Sequence, residues 1–272
     1  MPGARWAKGL LVLLAVLCLL YAGLVIGESR FIYFPTRKLT ATPADAGLEF
    51  VDVRFTSDDG VRLHGWWVPG RVDDVALLWF HGNAGNLGDR VGLLELLHDE
   101  LGIGIFAIDY RGYGRSEGKP SEAGLYADAR ASLQAMQTHA GVRSDEVVVF
   151  GQSLGAAVAV ELATAHPLRG VVLESAFTSI PEMARHLYSF LPVGPLLRTR
   201  FDSEARIANI DAPLLMLHGK SDDIVPLEMG RKLFDAAETP KEFSTVEGAG
   251  HNDVHLTTDY IATLRGFLGT ID

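Results

Sequence analysis

Residues 146–163 read EVVVFGQSLGAAVAVELA, and three local signals meet inside that span. Val147–Phe150 is a β-branched and aromatic run, the composition of a strand covered on both faces. Gly151-Gln152-Ser153-Leu154-Gly155 interrupts it, and an alanine-rich run of good helix formers begins at once. Strand, sharp turn and helix follow one another, with Ser153 at the tip of the turn. Gly151 and Gly155 omit the side chains that would hold strand and helix apart. The N–H groups after the serine then lie at a helix N-terminus, where developing negative charge is stabilised. The pattern makes Ser153 the candidate nucleophile.

A second copy of the pattern, Gly114-Arg115-Ser116-Glu117-Gly118, lacks both neighbours. It follows the turn-like Arg111-Gly112-Tyr113-Gly114 and runs into Lys119-Pro120, with no helix starting at the serine. Ser116 is therefore read as a turn residue.

The 272 residues, 48% of them hydrophobic, fit one large domain or two small ones with a sizeable core. A net charge of −10, with no basic block or stripe, argues against nucleic acid as a partner. The single cysteine, Cys18, precludes an internal disulfide and a Cys-rich metal site, and it reads as a small hydrophobe. It lies within Leu10–Ile26, an uninterrupted uncharged run about 26 Å long as a helix, extended by Gly9 and Gly27 towards the ~30 Å hydrocarbon thickness. Arg5 and Lys8 precede this run, and Trp6 and Phe31-Ile32-Tyr33-Phe34 suit the interface. Against a cleaved signal peptide, the only tolerable site, after Gly27, has Val25 rather than Ala two positions earlier. Residues 1–30 are therefore expected to form a single-pass N-terminal transmembrane helix. Arg30, Arg37 and Lys38 balance the charges in front, and the signal-anchor pattern leans towards a main domain outside the cytoplasm.

Beyond the run, Pro35 to Gly47 reads as a linker. Phe50–Phe55 alternates as a half-buried strand, Ser57-Asp58-Asp59-Gly60 turns, and Val61–Val68 returns as its hairpin partner. Near-continuous apolar runs then recur at Val75–Phe80, Ile103–Ile108, Val147–Phe150, Val171–Leu173 and Leu214–Leu217, with a last strand at Phe243–Val246. Helical stretches lie between and after them, at Asp89–Leu101, Glu122–His139, Leu154–Ala165, Leu227–Ala237 and about Thr257–Leu268. Two antiparallel strands followed by alternating strands and helices make an α/β fold around a mostly parallel sheet.

Open sheets of this kind hold ligands at their strand ends. After Phe80 comes His81-Gly82-Asn83-Ala84-Gly85-Asn86. Acyl transfer needs two N–H groups aimed at the oxyanion, one following the nucleophile and one from such a loop. Leu154 and Asn83 are the candidates, with Ala84 the alternative to Asn83. After Leu217, His218-Gly219-Lys220-Ser221-Asp222-Asp223 offers two carboxylates. An acid here can hold a histidine tautomer, and Asp222 takes that role while Asp223 suits a cap for the helix near Pro226. After the last strand, Gly248-Ala249-Gly250-His251 places a candidate base, His251, in a glycine-flanked loop. His81, His218 and His255 are read as structural.

Seven motifs now stand in order: FIYFP, HGNAGN, DYRGYGRSEG, GQSLGAA, ESAFTS, HGKSDDIVP and GAGHND. In them the sequence resembles the α/β-hydrolase superfamily over Phe31 to Asp272. It is similar in particular to the serine-aminopeptidase-like branch and to membrane-anchored hydrolases related to eukaryotic protein depalmitoylases. The resemblance implies an α/β-hydrolase fold, an eight-stranded, mostly parallel sheet flanked by helices over 31–272. It also makes Asp109–Gly114 a structural strand-end turn. Ala156 departs from the family, where many relatives carry a third glycine. The order Ser153, Asp222, His251 is that of α/β-hydrolase triads.

Between Ala176 and Asp211 a short cap, about 177–211, is expected over the site. Phe177, Met183, Leu187, Tyr188, Phe190, Leu191 and Leu196 supply either an apolar acyl groove or the packing of the cap itself. The expected activity is hydrolysis of acyl esters or thioesters, on a small-molecule or lipid-like substrate, with no metal or organic cofactor. A peptidase on the same triad, and a non-catalytic binding protein, are the rival readings.

Overall fold

Ten strands pair among the described residues of the structure, a computed structural model that describes residues 9–12, 15, 16, 21, 23, 27–189 and 194–271. They are β1 (Phe34–Pro35), β2 (Val51–Thr56), β3 (Arg62–Val68), β4 (Val72–Phe80), β5 (Ala84–Gly85), β6 (Ile103–Asp109), β7 (Val147–Gln152), β8 (Gly170–Glu174), β9 (Leu214–Gly219) and β10 (Lys241–Val246). Eight form one sheet in the order β10-β9-β8-β7-β4-β6-β3-β2. Only the β2–β3 and β3–β6 pairs are antiparallel. The hairpin turns at Gly60, whose φ of +83° a β-carbon would resist.

Strand alternation explains the two-sided core. Leu78 and Phe80 of β4 point into the layer of α2 (Glu122–Ala140) and α3 (Leu154–Ala165), while Leu77 and Trp79 point into the layer of α1 (Val91–Leu101) and α7 (Tyr260–Thr270). Each fully buried aliphatic or phenylalanine side chain contributes about 1.5–3 kcal/mol, so both faces are strongly specified.

The topology reverses at β4. The chain passes from β4 to β6 on one side and returns to β7 on the other, opening a crevice at the carboxyl ends of β4 and β7. His81-Gly82-Asn83 and Ser153 leave the sheet there.

Pro35–Gly47 is more than a linker. β1 pairs in parallel with β5 (Phe34 with Ala84, Pro35 with Gly85), and the Asn86 side chain donates to the Thr36 and Lys38 carbonyls and to Thr36 Oγ1. Gly114 N–H donates to Thr36 O, and Arg37 reaches the Ser116 and Gly118 carbonyls. Just upstream, the buried Glu28 carboxylate accepts the Arg198 and Thr199 N–H groups. The apolar run Leu10–Ile26 lies largely outside the described residues, and among those described no helix is long and apolar enough to cross a membrane.

Between β8 and β9 the chain inserts α4 (Ile180–Leu187), a short turn at Gly194–Leu196 and α5 (Glu204–Ile207). Phe177 and Met183 pack into the core, whereas Leu187, Tyr188 and Leu196 are exposed. Phe190 and Leu191 lie outside the described residues. α6 (Leu227–Ala236) follows the Asp222 loop and faces α4 across an open cleft of about 310 Å³. Glu182, Arg185, Glu228 and Lys232 border it, and none of the described apolar cap residues Phe177, Met183, Leu187, Tyr188 and Leu196 lines it.

Candidate active site

β7 delivers Ser153 in a backbone conformation that side chains avoid, φ +52° and ψ −112°. Such a residue costs on the order of 1–3 kcal/mol and persists only when its surroundings over-determine it. The turn is held on both sides. Ser153 N–H donates to Glu174 O at 2.9 Å, and Ala156 N–H closes back on Ser153 O at 3.0 Å. A β-carbon on Gly155 would collide with the Phe80 carbonyl, and one on Gly151 with the Gly155 carbonyl. Both glycines are therefore dictated by the contact of β7, α3 and β4. Ala156 tolerates its methyl, buried among the core residues of that layer.

β9 and β10 run in parallel register, and their loops stay laced beyond the strand ends. Lys220 N–H donates to Val246 O, and Ser221 N–H donates to Ala249 O. The lacing brings Asp222 and His251 together: Asp222 Oδ2 lies 2.8 Å from His251 Nδ1. Asp222 Oδ1 accepts the Val225 N–H at 2.8 Å and the Ile224 N–H at 3.0 Å. Burial raises the Asp222 carboxyl, but the His251 hydrogen bond and charge, with those two N–H groups, hold it below the ordinary carboxylate range. An ionised acceptor at Nδ1 requires a proton there, which leaves the Nε2 lone pair free. That Nε2 is 3.0 Å from Ser153 Oγ, positioned to accept the hydroxyl proton.

Asp223 does not cap α6. The cap position is Pro226, without a side-chain hydrogen bond, and Asp222 Oδ1 holds the preceding N–H groups instead. The other histidines are otherwise engaged. His218 is buried, which pushes its pKa down, and Nε2–H donates to Val225 O at 2.9 Å. His81 donates from Nδ1 to Gly82 O, and burial also lowers His255, which lies edge-on to Tyr260.

Leu154 opens α3, so its N–H is among those a helix leaves without an intrahelical acceptor. Across the crevice, a β-carbon on Gly82 would stand 3.7 Å from Ser153 Cβ, so the His81–Asn83 loop borders the hydroxyl. Asn83 fixes that loop with its other polar atoms. Nδ2 donates to Ile32 O at 2.9 Å, and its carbonyl accepts the Phe34 N–H and the Tyr113 O–H.

Sequence reasoning missed a buried polar chain beneath the serine. Trp79 Nε1–H donates to Gln152 Oε1 at 3.0 Å, Gln152 Nε2 to Glu174 Oε1 at 2.8 Å, and Tyr260 O–H to Glu174 Oε2 at 3.0 Å. Burial pushes the Glu174 carboxyl up, opposed by the Gln152 and Tyr260 hydrogen bonds and by the charges of His251 and Arg90. The available signal was a carboxylate closing the otherwise apolar run Val171–Glu174.

A family model described as serine aminopeptidase, S33, matches residues 73–200. An uncharacterized protein of Mycobacterium tuberculosis, Rv2307c, is 39% identical over 252 residues, covering 90% of this chain and 89% of the relative. The chain belongs to the α/β-hydrolase superfamily. The human alpha/beta hydrolase domain-containing protein 17B is 37% identical over 196 residues, 71% of this chain and 65% of the relative. The solved Pyrococcus furiosus esterase PF2001 superposes with a TM-score of 0.74 at 24% identity, covering 88% of this chain and 98% of that one, a likeness of fold.

Proposed function

We propose that this hydrolase cleaves acyl esters or thioesters through Ser153, His251 and Asp222. The observation that carries the reading is the pair of contacts on one imidazole, 2.8 Å to Asp222 and 3.0 Å to Ser153. As Ser153 Oγ attacks the acyl carbonyl, its proton passes to His251 Nε2, and the Leu154 and Asn83 N–H groups receive the oxyanion. His251 then returns the proton to the departing alcohol or thiol, leaving an acyl-serine. Water, deprotonated by the same imidazole, releases the acid and regenerates Ser153. One oxyanion donor is worth on the order of 3 kcal/mol.

An ester substrate is favoured by the name of the Pyrococcus neighbour, and the peptidase alternative by the description of the family model. Leu10–Ile26 is proposed as a single-pass anchor over residues 1–30, with the catalytic domain, residues 31–272, outside the cytoplasm. Residues 177–211 would act as a short cap on it. The deciding experiment is labelling by a fluorophosphonate, with mass mapping of the adduct. Modification at Ser153 supports the reading, and an unlabelled protein, or an adduct elsewhere, overturns it. Acyl esters, acyl thioesters and aminoacyl anilides compared as substrates then separate esterase, thioesterase and peptidase.

A further inference from the structure

We propose that Glu174 is a positioning residue for both Ser153 and His251, acting through the hydrogen bonds of its carboxyl rather than touching substrate. The inference rests on the function proposed above and adds to it a group outside the triad.

The direction of the polar chain is forced. An indole N–H can only donate, so Trp79 fixes the Gln152 amide with its oxygen towards the indole and its NH₂ towards Glu174. That NH₂ then needs an acceptor, because a polar group left unpaired against the core is costly. Glu174 Oε1 supplies it. Gln152 and Glu174 are register partners across β7 and β8, and Gln152 immediately precedes the strained serine. Glu174 thus grips the turn twice, by its side chain through Gln152 and by its carbonyl through the Ser153 N–H.

Its second carboxyl oxygen reaches elsewhere. Tyr260 is the first residue of α7, the helix that follows the His251 loop. Glu174 therefore bridges the serine turn and the segment carrying the histidine. The 3.0 Å contact between Oγ and Nε2 depends on both being held, and a displacement near 1 Å can cost about 100-fold in rate.

The test uses the full chain and a p-nitrophenyl ester. Glu174→Ala is expected to lower kcat about 10- to 100-fold with KM within about two-fold. Glu174→Gln should stay within about three-fold of the wild type. Its amide oxygen accepts from Gln152, and its NH₂ donates to a Tyr260 hydroxyl turned to accept. Tyr260→Phe, which keeps the ring and removes one bond, should lose about three- to ten-fold in kcat. A folded Glu174→Ala protein with unchanged kcat overturns the proposal, as does a Glu174→Gln protein that falls as far as the alanine variant. If the alanine variant does not fold, Tyr260→Phe decides: a reduced kcat at constant KM supports the bridge, and an unchanged kcat overturns it. Ser153→Ala run in parallel keeps the two readings apart. Turnover surviving in that variant refutes the nucleophile, whereas its loss beside a fully active Glu174→Ala refutes only the bridge.

Discussion

The chain carries Gly-x-Ser-x-Gly twice, and its two serines differ in almost everything that matters for reactivity. Ser116 is fully buried, and its hydroxyl is consumed on both sides, donating to Asp109 O at 2.6 Å and accepting the His64 N–H at 2.9 Å. Ser153 is half-buried, sits at φ +52°, and shares its hydroxyl with an imidazole. Each serine is bonded to the main-chain carbonyl of a residue with a buried carboxyl, Asp109 or Glu174. Those carboxyls also diverge. Burial raises both, but His64 and His81 outweigh it and hold Asp109 below the ordinary range, while burial prevails at Glu174 over its hydrogen bonds and nearby charges and leaves it above. A five-residue pattern sets a turn. Whether the turn is reactive depends on what the rest of the fold brings to the hydroxyl.

The largest expected contrast is between the two serines themselves. Ser153→Ala should lower kcat by about 10⁴-fold or more in an ester assay without shifting the melting temperature by more than a few degrees. Next, Asp222→Asn should cost about 10³- to 10⁴-fold. An amide NH₂ facing Nδ1 favours the tautomer whose Nε2 proton blocks the serine, and kcat at saturating substrate reads this out. Smaller, and of the other kind, is Ser116→Ala. It strands a buried N–H and a buried carbonyl, so denaturant titration should show a loss of about 1–3 kcal/mol, with fluorophosphonate labelling of the folded fraction unchanged. Labelling lost in that variant would erase the distinction.

The smallest effect is in the pH dependence of stability. A carboxyl raised in the folded state contributes fully below its unfolded pKa, and that contribution is lost as pH rises through the folded value. Glu174→Gln should therefore gain melting temperature relative to wild type as pH climbs above the usual glutamate range. Asp109 has the opposite sign: its contribution is present above the unfolded pKa and lost as pH falls through the depressed folded value. Asp109→Asn should accordingly flatten the acid limb of the stability curve. Melting curves from pH 3 to pH 8 check both slopes.

The sheet was readable because its strands are apolar on both faces, and Ile103–Asp109 or Val147–Phe150 can be little else. The turn at Ser153 was readable because strand and helix propensities change over five residues, and the loop order then suggested which histidine and carboxylate would meet it. Other features depend on contacts far apart in the chain. Pro35–Gly47 has no periodicity, and its bonds run to Asn86 and Gly114, so in sequence it reads as a linker. Local grounds give Asp223 a capping role that no side chain fills, since the cap position Pro226 has no side-chain hydrogen bond and Asp222 holds only the N–H groups ahead of it. Glu174 is silent in the sequence because a single acid at a strand end reads like any solvated terminus, and only the fold brings Gln152 and Tyr260 around it.

The pairing of β1 with β5 sets a practical limit on how the enzyme can be shortened. A shortened version that begins just ahead of Glu28 keeps the clasp on Arg198 and Thr199 and the edge that braces Asn83. One that begins at Leu39 discards both, and would be expected to yield a sheet intact enough to purify around a crevice whose rim has come loose.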